Sequence, residues 1–241
     1  MTDEWEQHAG WWQREFTEGA DPEYEEQILP LAVGLLHGYH RVLDVGCGEG
    51  QVARRLVAAG AATVVGIDPT RAQMAAAVDR AGGPRYGVAS AASLPFATSS
   101  FDAIVACLVF EHIVEVDASI DEIGRVLRPR GRFALFLNHP FIQAPGSGWI
   151  DDHIIDPPEQ YWRIGPYLPE STDLELVDQG VTIPFIHRPL SRYVNAIADA
   201  GMVVERLLEP APPPGFLVRA PEYPDAADFP RLLVIVARRN G

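Results

Sequence analysis

Residues 42–50, VLDVGCGEG, set Asp44, Gly46, Gly48, Glu49 and Gly50 close together behind a short β-branched run. Glycine lets a backbone turn sharply and approach a ligand closely. Asp68 follows about 20 residues later, where a carboxylate can accept both ribose hydroxyls of a nucleoside. Two kinds of nucleoside ligand compete for such a loop. A dinucleotide asks for G-x-G-x-x-G and for bare amides at the helix start to hold its pyrophosphate. The third glycine of that pattern falls at Gln51 and is absent, and Asp44 and Glu49 would repel a pyrophosphate. The same carboxylates suit a nucleoside that carries an ammonium and a sulfonium.

These residues need a scaffold that brings strand ends together. Residues 41–45 read as a strand, 49–59 as a helix stopped by Gly60, and 63–67 as a second strand ending at Asp68. An alanine-rich helix at 71–80 is broken by Gly82-Gly83-Pro84. Strands follow at 85–89 and 101–106, then a helix at 118–127, a turn at 128–131 and a fifth strand at 132–137. This alternation implies right-handed βαβ crossovers and a parallel sheet covered on both faces. Ligands of such sheets sit at the carboxyl ends of the strands, where strand order reverses.

After Asn138 the alternation stops. Residues 139–188 are rich in proline, glycine and aromatics, with a hairpin within 174–186, and read as an inserted cap well beyond ordinary loop length. A helix at 190–200 and strands at 203–208 and 232–237 resume the order, and the proline-rich link 209–230 lets those last strands pair antiparallel. Ahead of the sheet, residues 3–16 read as a helix bearing Trp5, Trp11, Trp12 and Phe16, and Asp21-Pro22 opens a second helix. The expected fold class is α/β: a doubly wound, mostly parallel seven-stranded sheet whose last strand is antiparallel. It is expected as one domain over 1–241, with N-terminal helices at 1–40 and a substrate cap at 139–188 after the fifth strand.

Five segments carry a resemblance: VLDVGCGEG (42–50), VVGIDPT (64–70), SAASLPF (90–96), SFDAIVACLVFEHI (100–113) and LRPRGRFAL (127–135). In this order they resemble the class I, seven-strand S-adenosylmethionine-dependent methyltransferases, and among them the ubiquinone/menaquinone-biosynthesis-like small-molecule group. The resemblance implies S-adenosyl-L-methionine as cofactor. It implies that Gly46, Cys47 and Gly48 line the methionine part, with Asp44 holding its ammonium directly or through water. Asp68 would bind the ribose, Pro69 would lie beside the adenine, and Ser90 and Ala91 would meet the adenine edge. Many members carry an aspartate where this chain has Ser90, so adenine binding would rest more on the Ala91 amide. Cys107 and Leu108 would border the methionine and the sulfonium.

Methyl transfer from a sulfonium is an in-line displacement with a neutral leaving group, so the protein must hold the nucleophile about 3 Å from the methyl, aligned and dry. An oxygen or nitrogen acceptor can also need a base. Position makes His139, just beyond the fifth strand, the candidate base. His187, before Arg188-Pro189, is the second candidate at the cap's end. His112 is read as tying down local backbone. Trp12 and Phe16 from the N-terminal helix and Trp162 from the cap are the expected acceptor walls, with Trp11, Trp149, Tyr161, Tyr167 and Phe185 as further aromatics. Arg188 is the expected partner for an acceptor carboxylate or phosphate, alongside Arg163 and Arg192. Asp151, Asp152, His153 and Asp156 match no metal-ligand spacing.

The bulk composition narrows the partners. Acidic residues outnumber basic ones 33 to 19, a formal charge of −14, which disfavours nucleic acid and anionic membrane as partners. Only Cys47 and Cys107 occur, in no disulfide or zinc framework, which fits a reducing cytoplasm. The first residues lack the basic and apolar regions of a signal peptide. The expected protein is a cytoplasmic monomer or homodimer that methylates a small molecule, oxygen favoured slightly over nitrogen or carbon. The alternatives are a protein of the same fold that binds the cofactor without transferring methyl, and a nicotinamide oxidoreductase.

Overall fold

The computed structural model describes residues 2–221 and 224–241, so the 209–230 link contains two residues, Glu222 and Tyr223, outside the described part. The strands are β1 (Arg41–Val45), β2 (Thr63–Asp68), β3 (Arg85–Val88), β4 (Phe101–Cys107), β5 (Leu127–Asn138), β6 (Gly148–Asp152), β7 (Glu159–Arg163), β8 (Ser171–Asp178), β9 (Val181–His187), β10 (Met202–Leu208) and β11 (Leu232–Arg239). Seven of them form one sheet in the order β10-β11-β5-β4-β1-β2-β3. β1 to β5 pair parallel, and β11 runs antiparallel between β5 and β10. The order reverses between β1 and β4, which leaves a crevice at their carboxyl ends.

Helices cover both faces: α1 (Thr2–Phe16), α2 (Leu29–Leu36), α3 (Gln51–Ala58), α4 (Arg71–Arg80), α5 (Val116–Val126) and α6 (Leu190–Asp199). Side chains alternate across each strand. Leu43, Ile104, Leu135 and Ile235 therefore pack with Ile120 and Ile123 of α5 and Ile197 of α6. Val42, Val105, Ala134 and Val234 pack on the other face with Leu29 and Leu36 of α2 and Val52 and Leu56 of α3. Each such Val, Leu or Ile side chain contributes roughly 1.5–3 kcal/mol by leaving water, so the strand ends rest on a stiff base. No helix among the described residues is long and apolar enough to cross a membrane.

Three local readings change. The helix opened by Asp21-Pro22 begins as expected but widens into a π-turn over Tyr24–Ile28 before α2. Pro30 has no amide to give Glu26, so the ladder before it widens. β5 begins at Leu127, and the 128–131 turn is an irregularity inside it: Phe101 pairs with Leu127, but Ala103 pairs with Arg132. Residues 139–188 hold two hairpins. β8–β9 is the one expected within 174–186; β6–β7 was not anticipated, because the acidic, proline-containing stretch between its strands hides the pairing.

Candidate active site

The loops after β1, β2 and β4 enclose a cavity of about 400 Å³. Gly46, with φ 68°, occupies the left-handed region, and a Cβ there would strike the Val109 side chain. Its amide and that of Cys47 both donate to the Ile67 carbonyl, at 2.8 and 3.0 Å. Asp68 joins the loops: Oδ2 accepts from the Gly48 amide at 3.0 Å and Oδ1 from the Thr70 amide at 2.8 Å. Gly46, Gly48, Asp68 and Pro69 line this cavity, as do Ser90, Ala91, Cys107 and Leu108. Ser90 Oγ also accepts from the Ala92 amide at 3.2 Å, which shapes its turn.

Two residues expected at the cofactor stand behind the wall instead. Asp44 is 1% exposed, and its Oδ2 has no hydrogen-bond partner. Burial raises its pKa to about 7, opposed by a hydrogen bond from the Ala53 backbone. The Cys47 side chain packs with Met74, Ala77 and Tyr86, and burial holds its thiol well above the usual range. Glu49 is corrected outright. Its Oε2 lies 2.5 Å from both Arg54 and Arg80, so it closes a buried ion cluster and leaves no charge for a ligand. The carboxylates that remain unneutralised are Asp44 and Asp68, and burial raises both.

A second cavity, of about 220 Å³, meets the first at Trp5, Trp12, Leu108 and His112. Aromatic rings from α1 and β9 wall it. Trp12 stacks on Phe16 at 4.3 Å, and Phe185 meets the His112 ring edge-on at 4.8 Å. Trp11 Nε1 donates to Asp178 Oδ2 at 3.0 Å and ties α1 to the β8–β9 hairpin. The other end is polar, with Asp21, Gln27, Asn138, Gln143 and the Glu23–Arg231 ion pair at 2.9 Å. Burial raises the pKa of Asp21. Glu111 sits beneath, its pKa pushed to about 7 by burial, and its Oε1 accepts from the Asn138 amide at 2.6 Å. Leu108 lies at the junction with φ 51°, a left-handed conformation that costs a branched residue energy and gathers at functional sites.

The expected acceptor residues divide. Trp12 and Phe16 line the second cavity. His139 lines neither cavity. Its Nδ1 accepts from the Phe141 amide at 3.2 Å, so Nε2 carries the proton and donates to Glu209 at 2.9 Å. Nδ1 serves the turn and Nε2 the link after β10, so both ring nitrogens are engaged and the base expected there is not supported. Trp162 packs against Trp149 and Phe229, away from both cavities. His187 donates from Nε2 to the Tyr167 carbonyl at 2.7 Å, inside the cap. Arg188 is buried and gives its guanidinium to the carbonyls of Phe110, Ile113 and Val114, at 3.0, 2.7 and 3.1 Å. It is a clamp on the loop after β4; its Nε lies 3.4 Å from Glu170 Oε2, and it lines neither cavity, so it does not face an acceptor carboxylate. Arg192 pairs with Asp117 and Glu170. Among the described residues no cluster of His, Cys, Asp or Glu is arranged for a metal ion.

His112 was read as a local backbone tie, and that reading is incomplete. Its Nδ1 lies 2.9 Å from the Pro184 carbonyl, an acceptor only, so Nδ1 carries the proton. The ring lines both cavities, between Trp5 and Phe185. The spacing of residues 107–113 carried no sign of this, because the fixing carbonyl is 72 residues away.

A parallel sheet with one antiparallel strand and a glycine cradle at its switch point define the class I methyltransferase fold, and the chain carries a methyltransferase domain: residues 43–135 match the family model described as "Methyltransferase domain". The chain is similar over 88% of its length, at 27% identity and a TM-score of 0.73, to a solved S-adenosylmethionine-dependent methyltransferase from Mesorhizobium loti, of which 96% is covered. It is 34% identical over 139 residues, 53% of this chain and 49% of the relative, to a 27-O-demethylrifamycin SV methyltransferase from Amycolatopsis mediterranei. It is also 34% identical over 154 residues, 52% of this chain and 46% of the relative, to a tRNA U34 carboxymethyltransferase from Methylococcus capsulatus. The chain thus spans about half the length of these curated relatives.

Proposed function

We propose that this chain transfers a methyl group from S-adenosyl-L-methionine to a hydroxyl group of a small molecule. The observation that carries the reading is the pair of contiguous cavities, one walled by the glycine cradle and one by aromatic rings, joined at Leu108 and His112. The residues present fit the cofactor. Asp68 lines the first cavity and each of its oxygens accepts only one backbone donor, which leaves lone pairs for ribose hydroxyls. The unpartnered Asp44 Oδ2 behind the loop favours a cation over a pyrophosphate. Ser90 and Ala91 stand where an adenine edge would be held.

Bound S-adenosylmethionine supplies an electrophilic methyl on a sulfonium. The chain's own work is to hold the acceptor in line and to keep water out. Trp5 and Trp12 do the second, since both close the junction. A small molecule fits the second cavity better than a polynucleotide does. The cavity is below the roughly 300–1,000 Å³ common for ligand sites, and the Asp21 carboxyl that lines it, held by the Glu23 amide at 3.1 Å rather than by a cation, disfavours a polyanion. The rifamycin relative's name supports oxygen as the atom methylated. Calorimetry with S-adenosylmethionine and with NAD tests the cofactor half: binding of the first alone is expected, and binding of NAD alone would overturn it. Mass spectrometry for a gain of one methyl across a metabolite panel tests the transfer.

A further inference from the structure

We propose that His112 Nε2 receives the hydroxyl proton of the acceptor, and that the acceptor is a hydroxylated aromatic molecule seated in the second cavity. The inference rests on the methyl-transfer reading above and adds the proton's destination and the acceptor class. Three observations carry it.

The first is the ring's place. Among the residues described, His112 is the histidine that lines both cavities. The second is its tautomer. The Pro184 carbonyl holds the proton on Nδ1, so Nε2 presents a lone pair, and among the described residues nothing hydrogen-bonds to that atom. The third is rigidity. The Arg188 clamp fixes the carbonyls on either side of His112, while Trp5 and Phe185 pack edge-on at 4.7 and 4.8 Å. The aromatic walls favour a flat acceptor, and Asp21, Gln27 and Gln143 at the far end accept hydrogen bonds from further hydroxyls.

The step balances. A lone pair of the acceptor oxygen forms the new bond to the methyl carbon, and the carbon–sulfur pair stays on the departing neutral thioether. The O–H pair remains on oxygen, and its proton moves to Nε2. Burial lowers the pKa of His112 to about 4, so the ring is neutral at physiological pH and open to a proton. A base this weak takes the proton only as the oxygen–carbon bond forms, when the positive charge growing on oxygen makes the hydroxyl proton strongly acidic. The imidazolium then releases the proton to water. The ionisable and charged groups facing this junction among the described residues are Tyr24, Asp68, Cys107 and Glu115 in the first cavity, and Asp21, Glu23 and Arg231 in the second. Arg188 lies behind the loop.

Nitrogen-15 NMR of the full chain, with His112 assigned by its loss in His112→Asn, reads the ring without turnover. The neutral Nδ1–H tautomer is expected, with no titration between about pH 5 and 8. A protonated ring at pH 7 or an Nε2–H tautomer overturns the proposal. Calorimetry and turnover then use S-adenosylmethionine with phenol, catechol and 2-naphthol. His112→Asn, whose amide can still donate to Pro184, is expected to bind the cofactor within about threefold of the parent. It is expected to lose on the order of 100-fold in kcat, and its rate should rise with pH as the acceptor ionises, where the parent's is flat. His139→Gln should keep kcat within about threefold. Near-parental turnover by His112→Asn overturns the base. No methylation of these probes by a parent chain that binds the cofactor overturns the acceptor class. Failure of the parent to bind the cofactor sinks the methyl-transfer reading itself.

Discussion

The two cavities meet at two tryptophans, one strained leucine and one histidine, yet they are made from different kinds of chain. The first is built from consecutive backbone. Gly46, Gly48, Asp68, Ala91 and Cys107 sit at the ends of strands that pair in register, and main-chain hydrogen bonds set their positions. The second is built from side chains borrowed from six distant places: α1, the segment into the π-turn, the loop after β4, the end of β5 and the turn beyond it, the β8–β9 hairpin, and Arg231 with Leu232. A wall made of backbone at a sheet's switch point tolerates little change and serves one ligand type. A wall made of aromatic side chains on helices and hairpins can be reshaped without touching the sheet. The cofactor half is therefore expected to be brittle and the acceptor half graded, and mutations can separate them.

The largest effect belongs to the brittle side. Asp68→Ala removes the acceptor for both the Gly48 and Thr70 amides as well as the ribose contact. Hydrogen bonds to a charged group are worth about 1.5–3 kcal/mol each. Calorimetry should show S-adenosylmethionine affinity falling by on the order of 100-fold, with the midpoint of thermal unfolding lowered as well. A loss below about threefold would mean that the loop holds its shape and its ligand without Asp68, and the contrast between the halves would fail.

The same difference in construction decides how much could be read from sequence. Strands β1 to β5 and the cradle were legible because their signals are local: β-branched runs, glycines and Asp68 lie within a few dozen residues. The acceptor side was not. His139 looked poised because sequence gives its place after β5, but not that Phe141 and Glu209 occupy its ring. Arg188 looked like an anion receptor, whereas three unpaired carbonyls on the loop after β4 claim it. Trp162 looked like an acceptor wall and is the core of the β6–β7 hairpin. In each case the deciding partner lies far away in the chain, where pattern and spacing say nothing. Glu49 failed for a related reason. Its charge was counted, but its neutralisation by Arg80, 31 positions on, was not.

Glu49 gives the next test. Glu49→Gln removes the buried anion of the cluster while Arg54 and Arg80 keep some access to water. The expected cost is about 2 kcal/mol, somewhat below that of breaking a fully buried pair. For a chain of this size that is about 4–8 °C in Tm. Cofactor affinity should stay within about twofold. A large loss of affinity with an unchanged Tm would return Glu49 to the ligand and redraw the boundary of the cradle.

On the graded side, Phe185→Ala opens the wall beside His112. Loss of one aromatic contact and its buried area is expected to raise the acceptor's KM by about tenfold, leaving the cofactor's Kd unchanged. If both constants move together, the cavities are coupled more tightly than their separate construction implies.

The smallest expected effect is a pH dependence that reaches from the sheet into the cradle. Burial raises the carboxyl of Asp44 from the ordinary range to about 7 in the folded chain. Between the unfolded pKa of about 4 and that value, the folded state holds a proton that the unfolded state has released. Stability from this group is therefore complete below about pH 4 and is lost as pH rises through about 7. Cofactor binding should run the other way, because a cation bound before the loop favours the ionised carboxylate. Between pH 6 and 8 the ionised fraction grows from about a tenth to about nine tenths, so affinity for S-adenosylmethionine should rise by up to roughly tenfold. The cofactor's own ammonium stays charged over most of that window. Asp44→Asn should flatten the profile and leave the pH dependence of acceptor KM as it was. A profile that keeps its slope in Asp44→Asn would assign the proton to another group, with Asp68 the first to try, since burial raises it too and it lines the cavity directly.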